Sequence, residues 1–134
     1  MACERSFTVE IPDEGITTNS ITSYLLPDWG NEFIQANFAR SLIRDPDSIA
    51  VILDTGIDCS HPDLNCVGSG YSAISGASPL TDEGTHGTHV AGIACAVIND
   101  FGIDGVANCK VMPLKAFNSK GQGDIFAIAR ALSE

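Results

Sequence analysis

Basic residues are scarce in this chain of 134 residues. Lys and Arg number 7 against 17 Asp and Glu, so the formal net charge is −10 at pH 7. Nucleic-acid binding depends on clustered Lys and Arg that replace the counterions of the phosphates, and the sequence has no such cluster. Apolar runs are short as well, and none approaches the roughly 20 residues of a membrane-spanning helix. The sequence therefore predicts neither a nucleic-acid partner nor a membrane span.

Cysteine is present, but not in a metal-binding pattern. No Cys-x-x-Cys pair occurs, which argues against a zinc knuckle; the five cysteines are Cys3, Cys59, Cys66, Cys95 and Cys109. Cys59 and Cys66 could form a disulfide in an oxidising compartment, but the usual behaviour of cysteine favours small, buried, reduced side chains. The N-terminus also lacks the basic and apolar segments that define a signal peptide, so none is predicted.

What the sequence does contain is the composition of one globular domain. Hydrophobic residues make up 44% and charged residues 18%, and the length suits a single core. Residues 1–23 are polar and without periodicity, which predicts an N-terminal extension. The folded domain is then expected over residues 24–134.

Two apolar runs predict strands. Ile49–Leu53 is continuously apolar between polar residues, as in a strand that is buried on both faces. The segment CKVMPLKAF, residues 109–117, predicts a second buried strand. Pro113 within it argues against a central position in the sheet, because proline cannot donate to a ladder.

Three segments have helical periodicity. The first follows Asn31 as a candidate N-cap and ends before Asp45-Pro46; the second runs from His86 to about Ile98; the third follows Asp124 as N-cap. Their predicted apolar stripes are Ile34, Phe38 and Leu42; then Val90, Ala94, Val97 and Ile98; then Ile125, Ile128, Ala129 and Leu132. Alternating strands and helices predict an α/β fold with parallel strands.

Asp54 and His86 form a candidate catalytic pair. Asp54 directly follows the first predicted strand, and open parallel sheets place reacting groups beyond the C-terminal ends of their strands. His86 opens a predicted helix that can pack beside this end. A carboxylate that accepts a hydrogen bond from one ring nitrogen leaves the other nitrogen as a base. The alternative is that each residue only caps a turn or is solvated.

Another histidine, His89, lies three residues after His86 in the segment DEGTHGTHVAG. A metal site would recruit Asp54, His86 and His89. Zincin helices, however, space their histidines four residues apart with a Glu between, and here only Gly and Thr intervene. The pattern favours a buried, hydrogen-bonded, structural His89 over a metal ligand.

Two segments together resemble the subtilisin-like serine peptidases. They are AVILDTGIDCSHPDL, residues 50–64, and HGTHVAG, residues 86–92, in the family's order and at a family-like spacing. LPDWGNEFIQANFARSL, NDFGIDGVAN and CKVMPLKAFNSKGQGD resemble further segments of that family. The resemblance covers about residues 24–134. It implies a three-layer α/β fold, a parallel sheet flanked by helices, that is present here incompletely as the N-terminal part of a peptidase domain.

The resemblance implies different roles for the two histidines. Asp54 matches the triad Asp and His86 the triad base, whereas the family's second His, here His89, is structural. Gly87 and Gly92 match small positions that let this helix pack tightly. The implied reaction is hydrolysis of a polypeptide substrate, in which a Ser attacks the scissile carbonyl while His86 takes its proton.

The nucleophile of the family does not occur among these residues. It lies in a GTSxA/P segment far downstream, and no Ser of this sequence lies in such a segment. The oxyanion Asn is expected past residue 134 too, and Asn108 stands where the family usually has Pro. We therefore expect a serine endopeptidase fragment that is inactive alone and oligomerises or aggregates through an uncovered face. The alternative is a non-catalytic subtilase-like pseudoenzyme or interaction module.

The resemblance also implies substrate contacts and a location. In the family, the loop before the last predicted helix runs alongside the bound peptide, which implies substrate-binding roles for Phe117, Gly121 and Gly123. A solvent-exposed loop with turn glycines is the alternative. The family is mostly secreted, which favours an extracellular location.

A structural calcium site is the last feature that the resemblance implies. Asp63 matches a family Ca²⁺ ligand, and the loop Val97–Ile103 matches the other part of that site. The implied ligands are Asp63, the side chain of Asn99, and the carbonyls of Val97, Phe101 and Ile103. Ca²⁺ takes such mixtures of carboxylate, amide and carbonyl oxygens, and the net charge of −10 favours a divalent cation. The alternative is that Asp63 caps a turn and Asn99-Asp100 ends a helix.

Overall fold

The computed structural model describes residues 6–12, 29–42 and 47–134. Within these ranges the chain forms five strands and four helices. In order they are β1 (Thr8–Glu10), α1 (Trp29–Phe33), α2 (Ala36–Leu42), β2 (Ile49–Asp54), β3 (Tyr71–Ser72), α3 (His86–Cys95), β4 (Lys110–Lys115), β5 (Gln122–Asp124) and α4 (Ile125–Ala131). The predicted boundary at residue 24 and the predicted helix stop at Asp45-Pro46 lie outside the described residues.

The centre of the fold is a parallel sheet with the strand order β2-β4-β3. β2 and β4 pair in register from Ile49 opposite Lys110 to Asp54 opposite Lys115. Parallel strands need a crossover connection, and α3 lies in the one between β2 and β4. The predicted α/β class with a parallel sheet is confirmed, and the sheet brings Asp54 to its C-terminal edge.

The expectation that Pro113 keeps its strand from the centre of the sheet is wrong. β4 is the central strand, with β2 on one side and β3 on the other. Pairing on the β3 side is interrupted: Cys66 bridges to Val111, and β3 resumes only opposite Leu114. The missing N–H of Pro113 thus falls where the neighbouring chain leaves the ladder, and Gly70 adopts a positive φ of 61° against the proline ring.

Helix α3 packs on β2 through small residues. Its buried positions are Gly87, Ala91 and Cys95, spaced four apart, and they contribute to a core with Ile57 and Val111. Of the predicted stripe, only Ala94 packs against this core, while Val90 and Val97 are half-buried and Ile98 is exposed. The helix approaches the sheet closely, so small side chains occupy the contact. The helix also ends earlier than predicted, at Cys95, since Ala96 is already extended with ψ 144°.

Strand β2 is not buried on both faces as predicted. Ala50 and Ile52 pack against the core beneath α3, whereas Ile49 and Val51 on the opposite face are 51% and 49% exposed. The continuous apolar run therefore has one covered face and one half-exposed face. The run predicted the strand correctly but not its surroundings.

The second sheet joins the N-terminal segment to the end of the chain. β1 pairs antiparallel with β5, with Val9 opposite Gly123. Asp124 caps α4 as predicted, because its carboxylate accepts the N–H groups of Phe126 and Ala127. The predicted stripe on α4 is right only for Ile128, which packs against the core beside Ala131. The buried residues of the helix are Ala127 and Ala131, and Leu132 is 69% exposed.

The first predicted helix is two short helices. Gln35, with a positive φ of 58°, separates α1 from α2. Asn31 lies inside α1 and not at an N-cap, and its side-chain amide donates to the Asp104 carbonyl at 2.6 Å. The predicted stripe of Ile34, Phe38 and Leu42 is wrong as well, since all three side chains are exposed.

Four cysteines form two disulfides, Cys59–Cys66 and Cys95–Cys109. The favoured expectation of reduced, buried cysteines is therefore wrong. Cys95 and Cys109 lie far enough apart in sequence that only the packing of α3 against the start of β4 brings their Cα atoms to 5.1 Å. Among the described residues, every helix is too short or too polar to span a lipid bilayer.

Candidate active site

The site begins at the C-terminal end of β2, where Asp54 is buried and directly precedes a tight turn. Its carboxylate accepts the N–H of Thr55 at 2.7 Å. Gly56 then takes a positive φ of 108°, a conformation that glycine adopts without strain. This turn holds the Asp54 carboxylate at the edge of the sheet, facing the start of α3.

His86 is brought to Asp54 by the first turn of α3. Its Nδ1 atom lies 2.9 Å from both Oδ1 and Oδ2 of Asp54. The next residue, Gly87, makes this approach possible: a Cβ there would meet the Gly56 carbonyl oxygen and would lie 3.0 Å from the Asp54 Cβ. At Gly92, in contrast, a Cβ would make only an ordinary contact, 3.8 Å from the Ile103 side chain. Only the first of the two predicted small positions is therefore tight.

The geometry assigns the tautomer of His86. An ionised carboxylate only accepts hydrogen bonds, so Nδ1 must carry the proton that it shares with Asp54. Nε2 is then the nitrogen that can accept a proton. A carboxylate that orients the ring and a ring nitrogen that can accept a proton are the two groups that nucleophile-activating sites combine.

His89 lies apart from this pair, and the expectation that it is buried is wrong. Its side chain is exposed. It lies two positions from Gly87 and from Ala91, a rotation of about 200° around the helix, so it is opposite the face that packs on β2. Among the residues that the structure describes, no three His, Cys, Asp or Glu side chains come together as metal ligands would.

The three predicted substrate-contact residues lie at the β1–β5 sheet. Phe117 is 7% exposed and packs in a core cluster with Val9 and Ile11. Gly121 has a positive φ of 70° and its carbonyl accepts the N–H of Ile11 at 2.8 Å. Gly123 lies in β5 opposite Val9. The structure thus brings the three residues together and places the N-terminal segment against them.

The predicted calcium ligands are brought together only in part. Asp63 is 3% exposed, its carbonyl accepts the N–H of Val97, and its Oδ2 accepts the N–H of Ile103. Its other oxygen, Oδ1, is buried without a hydrogen-bond partner among the described residues. Asn99 is exposed and its Oδ1 accepts the N–H of Phe101. An unpartnered carboxylate oxygen of this kind is the type of ligand that a hard cation such as Ca²⁺ takes.

Sequence reasoning missed the residues that support the pair. Lys115 is 1% exposed at the end of β4, donates to the carbonyl of Thr55, and forms an ion pair with Glu83 at 2.9 Å. Asp82 accepts hydrogen bonds from Thr55, the residue after Asp54, and from Thr88 in the first turn of α3. The sequence signals for these residues were a Lys inside an apolar strand and an Asp four residues before His86. Both patterns are too common to reveal a supporting role from the sequence alone.

Comparison with known proteins places these features in one family. The model of the subtilase family, peptidase S8, matches residues 47–134. Subtilisin DY of Bacillus licheniformis is 48% identical over 82 residues, which are 60% of this chain and 30% of that protein. Minor extracellular protease Epr of Bacillus subtilis (strain 168) is 37% identical over 113 residues, 83% of this chain and 17% of its own. Subtilisin Savinase of Lederbergia lenta is 40% identical over 107 residues, which are 78% of this chain and 39% of that protein.

The chain belongs to the subtilase family, a family of serine peptidases. The matched regions span at most 39% of the length of these three relatives.

Proposed function

We propose that this chain supplies the Asp and the His of the Asp-His-Ser triad of a serine endopeptidase. The contact of His86 Nδ1 with both oxygens of Asp54 at 2.9 Å carries the proposal. In the reaction, Nε2 of His86 takes the proton of the attacking Ser and later gives it to the leaving amine. Asp54 orients the ring and stabilises the imidazolium that forms.

The Ser nucleophile and the oxyanion Asn belong to sequence downstream of Glu134 in this proposal. The isolated chain should therefore not cleave casein above background, because a positioned base alone contributes about 10²–10⁴-fold. Protein that includes a downstream GTS segment should cleave it. Asp54→Asn should lower kcat by about 10⁴ and His86→Ala by about 10⁶.

The control for these variants is His89→Gln, because His89 lies on the opposite face of α3 and should leave kcat unchanged. Cleavage by the isolated chain that depends on His86 would contradict the assignment of the Ser to downstream sequence. An inactive protein with an intact GTS segment would instead support a non-catalytic interaction module.

A polypeptide substrate is supported by the behaviour of β5. This strand already accepts an extended segment in antiparallel pairing, β1, and Phe117 packs beside that segment. We infer that a substrate peptide pairs with the same edge at Gly121 and Gly123, so that it would have to displace residues 8–11. Removing residues 1–12 should then lower KM for extended peptides more than for short ones. An equal effect on both lengths would contradict this contact.

We also infer a structural Ca²⁺ held by Asp63, Asn99 and the carbonyls of Val97, Phe101 and Ile103. The buried, unpartnered Oδ1 of Asp63 supports it, because an uncompensated carboxylate oxygen in the interior is costly. A bound ion stabilises the native state according to its affinity, so chelation should lower the Tm. Asp63→Ala should abolish the effect of chelation, whereas Asp58→Ala should retain it. A Tm that is independent of chelator and of added Ca²⁺ would rule the site out.

An extracellular location is supported by the two disulfides, since such bonds persist in oxidising compartments. One relative is named as an extracellular protease. Fractionation of cells that express the full-length protein, with detection in the medium, is the test.

A further inference from the structure

The helix that carries His86 has no N-cap side chain of its own. Thr85 occupies the N-cap position in the left-handed conformation, with φ 65°, and its side chain makes no capping hydrogen bond. The first N–H groups of a helix have no intrahelical acceptor and must find one elsewhere. In α3 the N–H groups of Gly87 and Thr88 bond to Thr55 and Asp82, which lie outside the helix and connect it to the turn after Asp54.

Asp82 is the main acceptor. Its Oδ2 accepts the Thr88 N–H at 2.8 Å and the Thr88 hydroxyl at 2.6 Å. Its Oδ1 accepts the Thr55 hydroxyl at 2.7 Å and the N–H groups of Gly84 and Thr85 at 3.1 and 3.0 Å. One carboxylate thus receives donors from the loop, from the first turn of α3, and from the residue next to Asp54.

The two threonines complete the connection. The Thr55 hydroxyl donates to Asp82 and accepts the N–H of Gly87 at 3.1 Å, so it joins the end of β2 to the residue after His86. The Thr88 hydroxyl donates to Asp82 and accepts the N–H of Asp58 at 3.0 Å, on the far side of the same turn. Both ends of the turn that follows Asp54 are therefore fastened to α3 through the carboxylate of Asp82.

We propose that Asp82 is a positioning residue, which fixes the His86 imidazole against Asp54 by locking the first turn of α3 to the turn after β2. This inference rests on the proposed function, because it assigns a purpose to the same pair. Asp82 does not contact the reacting atoms. Charge-assisted hydrogen bonds are the stronger ones, and five of them converge here, so loss of the carboxylate should loosen the His86–Asp54 contact and not only the loop.

The test is the downfield Nδ1–H proton resonance of His86 in the full-length protein, assigned by its absence in His86→Gln. Its exchange with water reports how firmly Nδ1–H is held by Asp54. We expect Asp82→Ala to speed this exchange roughly tenfold or more, about the effect of losing one charge-assisted hydrogen bond. Asp82→Asn keeps the Oδ1 acceptor and should give an intermediate rate. Asp47→Asn removes an exposed carboxylate that pairs with Lys110 and should change nothing.

An Nδ1–H exchange rate that is unchanged in folded Asp82→Ala overturns the proposal, and so does an equal increase of this rate in Asp47→Asn. If Asp82→Ala does not fold, Thr88→Val decides, since it removes the hydroxyl that joins Asp82 to the N–H of Asp58 with little change of volume. Faster exchange then supports the proposal and an unchanged rate overturns it. The measurement needs no turnover. An inactive protein with the expected exchange pattern would therefore refute the peptidase function while leaving the positioning role intact.

Discussion

At the scale of single residues, the buried ammonium of Lys115 shows how much of the site depends on charges outside the pair. Lys115 lies at the end of β4, opposite Asp54 in the sheet, and donates to the Thr55 carbonyl. Burying a cation is costly unless it is paired and hydrogen-bonded. Its partner is Glu83, whose own side chain is largely exposed. This ion pair is therefore one attachment of the loop that precedes α3 to the sheet, beside the hydrogen bond from Thr55 to Asp82.

This ion pair predicts a specific acid sensitivity. The Lys115 ammonium, chiefly through its hydrogen bond, holds the pKa of Glu83 below its usual value of 4.5. A carboxyl group with a lowered folded pKa stabilises the protein above its unfolded pKa, and this contribution is lost as the pH falls through the folded value. Urea denaturation of the parent and of Glu83→Gln should therefore differ at pH 7 and converge below about pH 4.5.

Glu32→Gln is the matched control, since Glu32 is an exposed residue of α1. Its difference from the parent should be small at every pH. A constant difference between the parent and Glu83→Gln from pH 7 to pH 3 would show that the ion pair does not contribute to stability.

A second prediction concerns the glycine beside His86. A Cβ at Gly87 would overlap the Gly56 carbonyl oxygen, which belongs to the backbone and cannot rotate away. Gly87→Ala should therefore push α3 from β2 and destabilise the fold by about 1–3 kcal/mol, as overpacking does. Gly92→Ala is the control in the same helix, where the space is free and alanine should be neutral or stabilising by up to about 1 kcal/mol. Denaturation midpoints that fall equally in both variants would contradict this account.

Whether a residue's contacts could be predicted depended on how far along the chain its partners lie. The contact between Asp54 and His86 was predictable because strand ends and helix starts are local signals, and the sheet brings the two together. The exposure of His89 was predicted wrongly, because a sequence does not show which face of α3 packs on β2. Asp82 and Lys115 were missed because their partners lie far along the chain, at Thr55 and Glu83.

At the scale of elements, β2, β4 and α3 of the parallel unit were predictable, whereas the short strand β3 and the covered faces were not. Apolar runs located β2 and β4, but the position of Pro113 misled, since a central strand can tolerate proline where its neighbour leaves the ladder. The stripes of α3 and α4 were predicted mainly on Val, Ile and Leu, whereas the fully buried residues are Gly, Ala and Cys. Close packing selects small residues, and hydrophobicity alone does not reveal which contacts are close.

The disulfide between the end of α3 and the start of β4 predicts a thiol count. Five cysteines minus the four in Cys59–Cys66 and Cys95–Cys109 leaves one. Denatured, unreduced protein should give at most one titratable thiol per chain, and reduced protein five. Replacing both Cys95 and Cys109 with Ser should lower the free energy of unfolding by about 3 kcal/mol, the chain-entropy value for a loop of this size. Three or more thiols in the unreduced protein would contradict the pairing.

At the scale of the whole molecule, the described residues pack around the parallel sheet unevenly. α3 covers the face of Ala50 and Ile52, while Ile49 and Val51 on the other face remain half exposed. Trp29, Phe33 and Leu42 on α1 and α2 are more than two thirds exposed. Apolar side chains of this size, grouped on a strand and two helices, are typical of surfaces that another part of a protein covers.

This uneven packing predicts that the isolated 134-residue chain associates. Size-exclusion chromatography with light scattering should show oligomers or aggregates, and a hydrophobic dye should bind to the protein. The reason is that half-exposed Ile49 and Val51 favour contact with a second apolar surface. Replacing both by Thr keeps β-forming, branched side chains while removing apolar surface, so it should shift the chain towards monomer. Lys120→Thr, in an exposed turn, is the control and should leave the association unchanged. A parent chain that elutes as one monomeric species, binds no dye and melts in one sharp transition would show that this face needs no cover.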